Sequence, residues 1–147
     1  MVMPPRMKQR LWIMLGFIVV LVVGGNYQSA PPTPVVEGDI SAEKLFEQQR
    51  SEVQITVSGE VIRLLAEDNA DSQHQRFIIE LASGQTLLVT HNIDLAPRIE
   101  DLAVGDEVQI YGEYIWNEQG GLLHWTHHDP ENRHPHGWIR HQGQLYQ

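Results

Sequence analysis

The residues best suited to chemistry are histidines, and they are unevenly placed. All eight lie after Gln73: His74, His91, His124, His127, His128, His134, His136 and His141. Five of them fall within residues 124–136. Neutral imidazole is the commonest metal ligand. His124-x-x-His127 can close around an ion, His128 adjoins it, His134-Pro135-His136 is an H-x-H pair, and Asp129 can add a carboxylate. Such a set suits zinc or copper. It is not the H-E-x-x-H signature of a helical zinc site, and a histidine-rich tract is equally a compositional signal of solvated side chains. Pro130 and Pro135 turn the tail, and Trp138 and Ile139 give it apolar weight. His124, His127 or His128, and one of His134 and His136 are therefore expected to meet near the end of the fifth strand.

A second set lies earlier. His74 opens one predicted strand and His91 closes the next, so the hairpin between them brings both to one end. Arg76, Asn92, Asp94 and Arg98 flank them. One reading is a polar ligand pocket at a barrel mouth. The other is a local turn lock, since Asn and Asp side chains bond their own backbone. A hydrolase built on these residues would use metal-bound water, with Asp94, Glu113 or Asp129 as base. No G-x-S-x-G elbow is present, and Gly120-Gly121 does not open a helix as a phosphate loop requires. The chain has no cysteine, which removes disulfides, thiolate ligands, thiol nucleophiles and an N-terminal lipidated cysteine.

The elements that must position these residues follow from periodicity. Residues 41–50 (SAEKLFEQQR) predict a short helix, with Ser41 as N-cap, Glu43 in the first turn and Arg50 at the end. From Val53 the period is two, and residues 53–65 predict a long strand bent at Gly59. A polar loop over 66–73 leads to a second strand at 74–81, a turn at Ser83-Gly84 and a third strand at 85–90. Residues 91–104 form a connector broken by Pro97, with a helical turn expected at 99–102. A Gly105-Asp106 turn precedes a fourth strand at 107–116, whose Val108, Ile110, Gly112 and Tyr114 share a face. A hairpin loop at 117–121 joins it to a fifth strand at 122–126. Residues 138–146 predict a terminal hairpin turning at Gln142-Gly143. The fold class is mainly all-β: a small OB-like, five-stranded Greek-key barrel with a short N-terminal helix. Tyr111, Tyr114, Trp116 and Trp125 can stack bases, though core and hairpin packing accounts for them as well.

Several strings stand together: HQRF at 74–77, THNIDLAPR at 90–98, and HWTHHDP at 124–130, with Gly137-Trp138-Ile139 and the closing Tyr146-Gln147. The set resembles an uncharacterised bacterial family, a domain of unknown function, over roughly residues 57–147. The resemblance implies no activity and transfers no site residue.

The first part of the chain carries an address. Residues 1–10 hold Arg6, Lys8 and Arg10 and no acid, and residues 11–25 (LWIMLGFIVVLVVGG) have no polar side chain. A helix of that length covers roughly 22 Å, short of the ~30 Å hydrocarbon core and well matched to a signal-peptide core. Cleaved, it leaves a periplasmic or secreted domain. Uncleaved, it remains a hydrophobic helix anchored in the inner membrane. Either way the rest is exported to the cell envelope. Residues 26–38 are a Pro-rich spacer, and residues 39–147 form the barrel domain with its histidine-rich tail. After Val36 stand seven basic residues against nineteen acids, a net of −12, which repels nucleic acid. The whole chain of 147 residues supports one globular domain. The function expected is an exported binding module for a metal ion, a small ligand or an envelope partner. The alternatives are the metal-dependent hydrolase and a purely structural interaction domain.

Overall fold

Ser41 decides where the first element begins. Its extended backbone (φ −81°, ψ 156°) places its hydroxyl to accept from the Lys44 N–H, capping helix α1, Ala42–Glu47. The helix stops before the expected Arg50 because Gln49 turns left-handed at φ 51°. Ala42 and Leu45 carry its buried face. The computed structural model describes residues 40–68 and 71–147, all within the second of the chain's two units, Pro34–Gln147. The expected hydrophobic helix at 1–25 and the spacer at 26–38 lie outside the described residues. Among the described residues no helix is long and apolar enough to cross a membrane.

Seven strands follow: β1 Val53–Asp68, β2 His74–Glu80, β3 Thr86–Asn92, β4 Glu107–Ile115, β5 Leu122–His124, β6 Trp138–His141 and β7 Gln144–Tyr146. The first strand uses both of its halves. From Val53 to Glu60 it pairs antiparallel with β4, and from Glu60 to Asp68 with β2. The exchange occurs at Gly59, where a Cβ would lie 2.7 Å from the Glu80 carbonyl oxygen, so only glycine lets the two backbones cross. A register shift between Val61 and Arg63 bends the strand further. β2 pairs antiparallel with β3, β3 parallel with β5, and β5 antiparallel with β4. The ring β1-β2-β3-β5-β4-β1 therefore closes through five strands, the barrel that the alternation predicts.

Two strands lie beyond that ring. β6 joins the outer edge of β4 through Val108 to Tyr111, and β7 pairs with β6. Their turn is Gln142-Gly143, both residues at positive φ (47° and 80°), as a two-residue hairpin demands. The tail thus packs back onto the barrel.

Period two sends alternate side chains inward. Ile55, Val61, Phe77, Ile79, Leu87, Val89, Ile110, Tyr114, Leu123 and Ile139 are each no more than 1% exposed. Full burial of one such aliphatic side chain contributes about 1.5–3 kcal/mol. Ile99 and Leu102 of the connector also belong to this core. The helical turn expected there is absent; residues 93–106 run in turns, because their backbone groups bond to the barrel instead. The Ile99 N–H and carbonyl are both taken by the buried Gln75 amide. Strand boundaries differ too: β3 runs on through His91 to Asn92, and β2 and β4 each end one residue early. β1 runs on to Asp68, since pairing with β2 continues as far as Asp68↔His74. β5 stops at His124 rather than Thr126, because Trp125 leaves the strand at φ 52°.

Candidate functional site

The end of β5 gathers polar side chains from several elements. β4 and β5 pair with Glu113 opposite His124. The Glu113 carboxylate then accepts from two imidazoles, His124 Nε2 on Oε1 at 2.8 Å and His134 Nε2 on Oε2 at 2.9 Å. Trp125 stacks on His134 (ring centroids 4.3 Å apart, planes 12°) and lies 5.4 Å from the His127 ring. A left-handed backbone is strained for so bulky a residue. Gly137 accommodates it: a Cβ there would stand 1.7 Å from the Trp125 carbonyl oxygen. The Gly137 N–H also bonds to the His127 carbonyl at 2.9 Å.

Asp129 closes the same loop. Its carboxylate accepts the N–H groups of Glu131, Arg133 and His134 at 2.7–2.9 Å. Burial, the largest influence, raises its pKa. The His134 and Arg133 N–H groups and the nearby Arg133 and His136 charges outweigh it and hold the carboxyl below its usual range. His128 and His136 form a separate exposed pair, stacked at 4.0 Å.

Of the expected tail set, then, His124 and His134 meet through Glu113 and His127 sits beside Trp125. His128 and His136 lie apart from them, and both Asp129 oxygens are engaged by backbone. Among the described residues no group of three or more His, Asp or Glu side chains is arranged to hold a metal ion.

The second set divides. His74 stands opposite Asn92, and Gln75 opposite His91, so His74 and His91 occupy opposite faces of the hairpin. His91 is fully buried. Its Nε2–H donates to the Pro97 carbonyl at 3.1 Å, which leaves Nδ1 to accept the Thr126 hydroxyl at 2.9 Å. Burial pushes its pKa down to about 4. Arg98 pairs with Glu67 at 2.6 Å, Asp94 accepts the Gln73 N–H at 2.8 Å, and Arg76 lies half-buried on β2 opposite Thr90.

What unites the two sets is a hollow of about 240 Å³ on the outer face of β2, β3 and β5, lined by His74, Thr90, Asn92, Leu95, His124, Trp125 and His127. Each of its imidazoles gives one N–H to protein oxygen: His74 Nδ1 to the Ser72 carbonyl, His124 Nε2 to Glu113, and His127 Nδ1 to the His128 carbonyl. In a neutral imidazole the other ring nitrogen is an acceptor, and at His74 the Ser72 hydroxyl stands 3.5 Å from it. Thr90, Leu95 and Trp125 were not expected here. For Trp125 a signal existed, an aromatic flanked by His124 and His127 where a strand ends. A larger hollow of about 610 Å³ lies at the β1 bend, lined in part by Glu60, Glu80 and Glu107. It has no imidazole or aromatic ring, so the smaller hollow is the better candidate.

His141 was outside both sets. It is buried and holds Asp106 at 2.8 Å, tying β6 to the turn before β4. The Ala103 N–H and this imidazole keep the Asp106 carboxyl below its usual range.

The profile of a family described as "Protein of unknown function (DUF3465)" matches residues 23–147. No curated protein matches the chain.

Proposed function

The chain belongs to the family of unknown function matched over residues 23–147, and from that premise we propose that it is an exported binding module of the bacterial cell envelope. Its barrel seats a small ligand in the hollow at the ends of β2, β3 and β5. One observation carries this reading: imidazoles and an indole from two separate stretches of chain line a single pocket, with Thr90, Asn92 and Leu95 from a third. OB-type barrels bind ligands on the face of their second and third strands, and a concave site with an aromatic wall and a few placed polar groups is how small-molecule pockets are built. No lysine or arginine lines the hollow, and the net of −12 after Val36 disfavours phosphate-rich partners.

The basic start and apolar run of residues 1–25 support export. If that run is retained, the inner membrane is the module's first partner.

The test of the pocket is a nitrogen-15 spectrum of the protein with labelled histidine and tryptophan, titrated with small amines, sugars and carboxylic acids in turn. A ligand of this site shifts the ring signals of His74, His124, His127 and Trp125 together and leaves His141 unmoved. Shifts confined to His128 and His136, or none with any class, would reject the pocket.

A further inference from the structure

We propose that the ligand of this pocket is a small protonated organic amine, an inference that rests on the pocket reading above. The argument is one of matching donors to acceptors. His124 and His127 each spend one N–H on a protein oxygen, and no protein donor meets their other ring nitrogen, whereas the Ser72 hydroxyl stands 3.5 Å from Nε2 of His74. The partners of His124 and His127 are a carboxylate and a backbone carbonyl, neither of which can donate in exchange. In their neutral form these two imidazoles therefore present acceptors to the hollow. A primary ammonium is the converse group, with three N–H donors and no acceptor.

Other classes fit less well. An anion finds no lysine or arginine in the lining. A sugar hydroxyl both donates and accepts, and the lining offers it few donors, the Asn92 amide and the Thr90 hydroxyl. The Thr90 hydroxyl itself already faces the Leu123 carbonyl at 3.4 Å. A bare metal ion is far smaller than 240 Å³, and among the described residues no three ligands are grouped to hold one.

Charge and ring chemistry favour a cation. The Glu113 carboxylate lies directly behind His124 at 2.8 Å. Trp125 supplies an indole, the best of the aromatic rings for an organic cation. The excess of twelve acids after Val36 raises the local concentration of cations. Leu95 and the indole then provide an apolar wall for the carbon chain of the amine.

Calorimetric titration of the detergent-solubilised full chain with putrescine, glucose, inorganic phosphate and zinc tests the proposal. Putrescine is expected to bind, and more weakly as salt is raised. Trp125→Leu should weaken it at least tenfold. Because Trp125 also holds its loop, a second pair of variants stands on Leu95, which is 46% exposed. Leu95→Lys should weaken putrescine about fivefold or more by like-charge repulsion, and Leu95→Glu should tighten it. Equal affinity in the two Leu95 variants overturns the inference. Glucose, phosphate or zinc binding while putrescine does not also overturns it, yet leaves the pocket in place. Silence of all four probes, together with unmoved histidine signals, removes both the amine and the pocket.

Discussion

His91 shows how far burial can change what a residue is for. Its two nitrogens are spent on Pro97 and Thr126, and burial pushes its pKa from the ordinary 6.5 down to about 4. The sign of the consequence is definite. Between pH 6.5 and 4 the unfolded chain takes up a proton at this position and the folded chain does not. Stability therefore falls as pH drops through that window, by up to about 1.4 kcal/mol per pH unit. Above it the residue adds no slope. His91→Gln keeps a donor and an acceptor but cannot titrate. Urea midpoints measured from pH 7.5 to 4.5 should fall less steeply in the variant, by close to one proton's worth. Parallel curves would show that His91 does not stay neutral.

At the scale of elements, the segment after β5 is the part that builds the site. It is held by one strained residue, one glycine and one carboxylate. Trp125 turns left-handed, Gly137 passes beneath its carbonyl, and Asp129 gathers three N–H groups. These devices are local, and none of the three residues takes part in the strand pairing of the ring. Gly137→Ala must displace the Trp125 backbone and should cost about 2 kcal/mol or more. Near-ultraviolet circular dichroism should lose its Trp125 contribution while the far-ultraviolet strand signal persists. Loss of both signals together would mean that this loop and the barrel form one cooperative unit.

The whole molecule couples a closed acidic barrel to a basic, apolar beginning. Ring closure gives each of β1 to β5 two strand neighbours, and the short β7 strand ends the sheet beyond them. That arrangement limits edge-to-edge association. On the proposed export reading, the charge asymmetry, three cations and no acid before Leu11 and a net of −12 after Val36, would keep the start of the chain in the cytoplasm. An alkaline phosphatase fused at the C-terminus should therefore be active, and a reporter that works only in the cytoplasm should not be. Full activity of the cytoplasmic reporter would end the export reading.

Much of the architecture was written in the sequence, because a strand's alternation is a local property. Val53, Ile55 and Val57 announced β1, Gly59 its bend, Ser83-Gly84 and Gln142-Gly143 their hairpins, and Ser41 the helix cap. The order of these elements was enough to suggest the ring. Boundaries set by partners were not legible: β1 extends because β2 stays paired with it, and Gln49 ends α1 without a glycine to mark it. The histidines divide in the same way. Their crowding after Gln73 was plain, but a string of residues does not say which face each takes. One residue of offset moves a side chain across the sheet, so His91 became a core residue while His74, seventeen positions earlier, turned outward to meet His124 and His127. That meeting depends on the parallel contact of β3 with β5, which joins segments some thirty residues apart and has no signature in either. Tertiary pairing alone decided which imidazoles share a pocket, and the hydrogen bonds made there decided which nitrogen of each ring donates to the protein.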